Sequence, residues 1–259
     1  MKIAVVGKGG VGKTTVAASI ARLMGRKGYN VIAVDADPSL NLAIALGIPR
    51  KEAENAPVLF DEEEFIKSRT MLSSGVYRLN PKVEDVVEVF GVKAPDNVTL
   101  LKFGAIKRGG TRCLCPEYAF LRALLSHLIL GRKDVVVLDM VAGLEHMSRG
   151  VARGVDYMLC IVEPSIKSID VALQLYRLAE DIGVKKFTIV ANKVIEPRDL
   201  EFIRERIGDI GILATIPYDE AVIKADREGV ALVDYEPQCK AVRALARLVD
   251  KIVELKEGS

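Results

Sequence analysis

Eight consecutive residues near the start of the chain, Gly7-Lys8-Gly9-Gly10-Val11-Gly12-Lys13-Thr14, satisfy the spacing G-x-x-x-x-G-K-[ST]. The chemistry served by that spacing is the capture of a nucleotide's phosphates. Glycines let successive backbone N–H groups turn inward around phosphate oxygens, and a helix starting at the end of the loop adds the positive end of its dipole. In such a loop Gly9, Gly10, Val11 and Gly12 supply backbone donors and Lys13 reaches the β- and γ-phosphates. Thr14 places its hydroxyl on Mg²⁺, and Thr15 is set to bond an α-phosphate oxygen.

Carboxylates at the ends of apolar runs form a second set. Asp35 and Asp37 follow such a run in Val34-Asp35-Ala36-Asp37-Pro38, and Asp139 closes Val135-Val136-Val137-Leu138. A carboxylate in the last position suits contact with Mg²⁺ through water. Asn192-Lys193 offers an amide that can both donate to and accept from adenine. A guanine-reading Asn-Lys-x-Asp would need aspartate at position 195, which is Ile195, so ATP is expected over GTP.

The third set is Cys113-Leu114-Cys115-Pro116. Two cysteines one residue apart point to the same side of an extended segment. Pro116 suits the first turn of a helix, where the dipole favours thiolate at Cys115. One chain supplies two thiolates here, and a two-fold dimer would supply four. That set matches tetrahedral Zn²⁺ or a thiolate-rich Ni²⁺ site, and a bridged iron–sulfur cluster is a further option. Of the other two cysteines, Cys160 falls inside an apolar run and reads as core, whereas Cys239 is ambiguous. His127 and His146 are not expected to be ligands.

The elements that must position these groups are legible as alternation. Apolar, β-branched runs at Ile3–Val6, Val31–Val34, Val135–Leu138, Met158–Val162, Phe187–Val190 and Gly211–Ile216 read as strands. Helical periodicity separates most of them, at Thr14–Lys27, Pro116–Leu130, Ile169–Asp181, Asp199–Ile207 and Gln238–Leu255. Alternation of this kind predicts an α/β fold, a mostly parallel sheet with helices on both faces, in a single domain over 1–259. Right-handed crossovers bring the strand C-terminal ends, and any ligand, to one edge. Residues 47–115 break the rhythm and read as an elaboration of that domain ending in the Cys-x-Cys loop.

Bulk composition narrows the partners. The 37 basic and 35 acidic side chains leave a net charge of +2, which gives no electrostatic argument for nucleic acid. No uncharged apolar run approaches a membrane span, and the chain opens directly on a strand, so a cytoplasmic protein with no membrane partner is expected.

The run Lys8-Gly9-Gly10-Val11-Gly12-Lys13-Thr14-Thr15 resembles the deviant Walker A loop of the MinD/ParA/nitrogenase-iron-protein superfamily of P-loop ATPases. That resemblance implies a homodimer when ATP is bound, with Lys8 reaching across to the partner's nucleotide. It also implies a catalytic set of Lys8, Lys13, Asp37 and Asp139, with Asp37 positioning the attacking water and Asp35 near the Mg²⁺ shell. Ala142-Gly143-Leu144-Glu145-His146 would be a switch segment, and Ile216-Pro217-Tyr218-Asp219 resembles the base-contacting loop, adding Pro217 and Asp219 to the nucleotide residues.

Three segments resemble one subgroup more closely: Gly109 to Glu117 around the cysteine pair, Asp139 to His146, and Val162-Glu163-Pro164-Ser165. The subgroup is the CooC-type ATPases, nickel-insertion accessory proteins of carbon monoxide dehydrogenase. Membership implies ATP/ADP and Mg²⁺ as nucleotide and cofactor and Ni²⁺ or Zn²⁺ at Cys113 and Cys115, shared across a dimer. It also implies a target metalloenzyme such as carbon monoxide dehydrogenase. Val141 stands where the subgroup pattern calls for an acidic residue. The alternatives are an electron-transfer ATPase like the nitrogenase iron protein, or a positioning ATPase of the MinD/ParA type.

Overall fold

The computed structural model describes residues 1–37, 41–73, 76–78, 81–104, 120, 123–128, 131–140, 155–184 and 186–257. The cysteine pair Cys113/Cys115, the segment from Val141 to His146 and the start of the helix expected at Pro116 lie outside the described residues.

Every strand expected from the apolar runs is present. They are β1 (Lys2–Val6), β2 (Asn30–Ala36), β7 (Asp134–Met140), β8 (Tyr157–Val162), β9 (Lys186–Val194) and β10 (Ile212–Pro217). They join β6 (Val98–Lys102) and β5 (Val92–Ala94) in one eight-stranded sheet of order β10-β9-β8-β1-β7-β2-β6-β5. All neighbours are parallel except β5, which runs antiparallel to β6 at the edge. With only three residues, β5 carries too little pattern to be read as a strand from sequence. A separate two-stranded hairpin pairs β3 (Met71–Ser73) with β4 (Val76–Tyr77).

Long crossover helices cover both faces. Helix α1 (Lys13–Arg26) packs with the last helix, α10 (Lys240–Glu257), over one face, on Ile3, Val5, Ala33, Leu100, Val137, Leu159 and Ile161. The apolar stripe of α10 (Val242, Leu245, Leu248, Val249 and Ile252) is buried in that core. The opposite face carries α6 (Ile166–Asp181) and α7 (Pro197–Ile207), which pack on Met158, Cys160, Val162 and Ile189. Cys160 is fully buried there, as its place in an apolar run predicts. Helices α6 and α7 start three and two residues earlier than their apolar periodicity because caps extend them. Ser165 accepts the Ser168 N–H, and Glu196 and Asp199 form a reciprocal capping box that spans Pro197.

A short helix α2 (Leu42–Ala45) precedes the elaborated segment, which carries α3 (Arg50–Asn55), a 3₁₀ turn (Leu59–Asp61) and α4 (Glu63–Thr70), and reaches β5 through α5 (Val86–Phe90). It adds an aromatic layer to the second core, with Phe65 edge-on to Phe90 at 4.9 Å and to Phe120 at 6.2 Å. Lys102, buried at the end of β6, donates to the carbonyls of Ala53 (2.8 Å) and Ala56 (3.3 Å). A cation against the last carbonyls of α3 complements the negative end of that helix and fastens the segment to the sheet.

Candidate functional site

Strand β1 lies centrally between β7 and β8, at the point where the chain turns from building one side of the sheet to building the other. Such a switch point opens a crevice beyond the strand C-termini. The loop 7–12 leaves β1 into this crevice. Gly12 caps α1 at φ 97° with no side-chain cap bond, which leaves the first-turn N–H groups directed at a ligand. A Cβ on Gly12 would stand 2.6 Å from Asn192 Nδ2, and one on Gly7 (φ 142°) would stand 2.5 Å from the Ile161 carbonyl oxygen. Both positions therefore require glycine on two counts, backbone conformation and space.

The loop is laced to its surroundings. Lys13 Nζ donates to the Lys8 carbonyl at 3.3 Å, and Asn192 Nδ2 donates to the Val11 carbonyl at 2.7 Å. Lys193 Nζ donates to the Gly10 carbonyl at 2.7 Å. The last two bonds depend on a bulge at the end of β9, where pairing with β10 passes from Ala191 opposite Thr215 to Val194 opposite Pro217. The extra residue on β9 puts Lys193 at φ 59° and turns both side chains back toward the phosphate loop.

Register brings the carboxylates together. Asp35 on β2 and Asp139 on β7 are direct partners in the parallel ladder, and Val5 of β1 also pairs with Asp139. Both aspartates are at most 1% exposed. Asp35 accepts N–H bonds from Leu42 (3.0 Å) and Asp37 (3.2 Å), so it shapes the turn that carries Asp37. Burial and the neighbouring Asp139 charge push the Asp35 carboxyl up to about 7 against these bonds. Burial likewise pushes Asp139 up to about 6. The nearby Thr14 hydroxyl and the Lys13 charge oppose that rise, but the Thr14 contact falls short of normal hydrogen-bond geometry, and neither Asp139 oxygen is otherwise satisfied among the described residues. Burial lowers the Lys13 pKa, opposed by Asp139 and Asp37.

A buried carboxylate with both oxygens unsatisfied is costly unless a cation completes it. The donor set fits Mg²⁺: Thr14 offers a hydroxyl, Asp139 a carboxylate, and the loop beside them is shaped for phosphate oxygens. Among the described residues no cluster of three or more His, Cys, Asp or Glu is arranged to hold a metal by itself. Mg²⁺ characteristically takes one or two protein oxygens plus substrate phosphates and water.

Next to the loop is a cavity of about 210 Å³, largely apolar, lined by Gly12, Thr15, Asn192, Pro217, Tyr218 and Val222 among others. Lys193 and Asp219 also line it, so all the residues expected around the base converge here. Asp219 also has a structural role that the sequence did not disclose. Its carboxylate accepts from Ala221 N and Ala241 N, both at 3.0 Å, capping α8 (Glu220–Glu228) and the first turn of α10 together. Larger cavities at the opposite end of the strands contain none of these residues.

Lys8 lies within its own chain in a pair with Glu163, Nζ to Oε1 3.3 Å. Glu163 also receives Lys193 at 3.1 Å. The signal for this contact was the segment Val162-Glu163-Pro164-Ser165, but nothing in the sequence pairs it with the phosphate loop. Asp37 stands close enough to influence Lys13, Asp35 and Asp139. His127, in the helical stretch 123–127, is half-buried.

Residues 2–233 match the family model described as the CobQ/CobB/MinD/ParA nucleotide binding domain. The chain is 38% identical over 257 residues to the carbon monoxide dehydrogenase accessory protein CooC of Rhodospirillum rubrum, covering 97% of both chains. It is 41% identical to an uncharacterized ATP-binding protein of Methanocaldococcus jannaschii, covering 99% of both. Among solved structures it superimposes on the septum site-determining protein MinD of Pyrococcus horikoshii complexed with Mg-ADP. That match has a TM-score of 0.71 at 23% identity and covers 98% of this chain and 96% of that one.

Proposed function

The chain belongs to the CobQ/CobB/MinD/ParA nucleotide-binding family and to its CooC-type group, and from that premise we propose an ATPase whose two-subunit cycle delivers a metal ion to a target enzyme. The observation that carries the ATPase part is Asp139, a buried carboxylate whose oxygens make no hydrogen bond of normal geometry among the described residues, set beside Thr14 and Lys13 under the phosphate loop.

Loop amides 9–12 and Lys13 bind and orient the phosphates. Asn192, Pro217 and Tyr218 enclose the base. Bound Mg²⁺ would neutralise developing charge on the phosphate oxygens, held by Thr14 and, through water, by Asp139. Asp37, anchored through its own N–H to Asp35, orients the attacking water. Lys8 supplies a further cation to the partner subunit's phosphates, which couples hydrolysis to association.

Cys113 and Cys115 then carry the cargo, Ni²⁺ or Zn²⁺, as two thiolates from each subunit of a dimer. The CooC relative supports delivery to carbon monoxide dehydrogenase or a related metalloenzyme. A MinD-like positioning role is the second reading, favoured by relatives such as the chloroplastic septum site-determining protein minD homolog of Arabidopsis thaliana, 25% identical. The buried apolar stripe of α10 leaves that helix no face for a lipid surface, and no described helix is long and apolar enough to cross a membrane.

The test is metal content and mass of the purified protein, with and without a non-hydrolysable ATP analogue, beside the Cys113→Ala/Cys115→Ala variant. One Ni²⁺ or Zn²⁺ per dimer, lost in the variant, is expected. A nucleotide-driven dimer that never carries metal would overturn the delivery role and leave a switch ATPase.

A further inference from the structure

The residue that the proposed cycle needs on the partner's nucleotide is engaged at home. Lys8 Nζ sits 3.3 Å from Glu163 Oε1, and the two side chains are 34% and 21% exposed. The other oxygen of the same carboxylate is 3.1 Å from Lys193 Nζ, which also bonds the Gly10 carbonyl. Burial works against the charge on Glu163, but Lys193 and Lys8 hold its carboxyl below the usual range. The backbone fixes its place from below, since the Glu163 N–H donates to the Ser168 hydroxyl in the first turn of α6. One carboxylate thus holds two cations on the rim of the phosphate loop.

We propose that Glu163 is a positioning residue that keeps Lys8 in its own subunit, so that the Lys8–Glu163 ion pair competes with ATP-driven pairing of two chains. The inference rests on the two-subunit reading above. Lys8 cannot hold Glu163 and extend to a second chain's phosphates at once, so forming an engaged dimer breaks this ion pair in both subunits. An equilibrium moves only by the difference in affinity between its states, and Glu163 sets that difference. Lys193 keeps the carboxylate occupied after Lys8 leaves, so no bare charge remains and the release stays reversible. The ion pair is partly exposed, so it tunes association and does not forbid it.

Dimerisation with a non-hydrolysable ATP analogue, followed by analytical ultracentrifugation, tests this in wild type, Glu163→Gln, Lys8→Ala and the double variant. An exposed pair of this kind changes an equilibrium about two- to fivefold. Because the pair opens once in each subunit, the factor is squared, and Glu163→Gln is expected to tighten the dimer constant about four- to 25-fold. Affinity of the dilute single chain for a fluorescent ATP analogue stays unchanged, and the tightening disappears in the Lys8→Ala background. Glu163→Asp, which keeps the charge and draws it back by one methylene, lies between wild type and Glu163→Gln.

Equal tightening in the Lys8→Ala background would overturn the proposal, because Glu163 would then act through Lys193 and the base pocket. No tightening, while Lys8→Ala still weakens the dimer, would overturn it and leave the two-subunit cycle standing. Unimpaired dimers of Lys8→Ala would remove both.

Discussion

Helix α1 has acidic partners at both ends, and the two ends differ in kind. At its C-terminal half, Arg22 donates to Asp96 (2.7 Å), Asp234 (3.0 Å) and the Leu46 carbonyl (2.6 Å). Arg26 lies on the same two carboxylates at 2.7 and 2.6 Å. At its N-terminal end, Lys13 and Thr14 face Asp139, whose oxygens make no hydrogen bond of normal geometry among the described residues. One end is closed by the chain's own atoms, and it fastens the helix to the β5–β6 turn and to α9 (Leu232–Tyr235). The other brings the carboxyls of Asp35, Asp37 and Asp139 together, with Lys13 as the facing cation. Closure marks structure, and carboxyls gathered at an open end mark where a cation and phosphates belong.

The largest expected effect is at the open end. Asp139→Asn is expected to lower ATP hydrolysis about 100- to 1,000-fold, or about 3–4 kcal/mol of transition-state stabilisation, as for loss of a preorganised charge partner. Steady-state phosphate release at saturating Mg²⁺ measures it, and a variant within tenfold of wild type would place the chemistry elsewhere.

At the closed end the expected loss is in stability. Arg22→Ala leaves the Leu46 carbonyl unpaired and removes a 3%-exposed guanidinium from two carboxylates. Urea unfolding should show about 3 kcal/mol lost, the low end for breaking a buried pair, because Arg26 remains on both carboxylates.

The sign of the pH response sharpens the contrast. A carboxyl raised to about 6 in the fold, from the usual 3.8, binds more protons folded than unfolded between those values. Stability therefore falls as pH rises through that window, by the linkage relation. In the absence of nucleotide, the unfolding midpoint of Asp139→Asn should match wild type near pH 4 and exceed it above pH 6. Mg²⁺ and ATP should erase the advantage. An Asp139→Asn midpoint below wild type at neutral pH would mean that the carboxylate is already balanced. The smallest expected effect is that of Asn192→Ala, which loses one neutral bond to the Val11 carbonyl, worth about 1 kcal/mol. A KM for ATP raised about fivefold with kcat nearly unchanged is expected.

These residues also show how far sequence alone reaches. The phosphate loop is local, so residue types and spacing disclosed it from Gly7 to Thr15. Asp139 was legible as a carboxylate at a strand end. Its partnership with Asp35 was not, because it depends on the register of β2 against β7, strands joined through the whole elaborated segment. Asn192 and Lys193 were visible, but the bulge that turns them was not, since only pairing with β10 reveals an unmatched residue. Asp219 was assigned to the base pocket from its neighbours, whereas its capping of α10 spans a long sequence separation and has no local signature. Helix α8 went unread because its buried contribution is only Ala221 and Ala225.

The close approach of Gly7 to Ile161 has a consequence for how the molecule transmits force. A loop whose first residue rests directly on the backbone of β8 has no side chain to cushion it. The phosphate cradle and the strand end two residues before Glu163 must therefore shift as one solid piece. A pull on the phosphates would be felt at once along β8, without a relay of rearranging side chains. The glycine at position 7 is a mechanical joint as much as a chemical one.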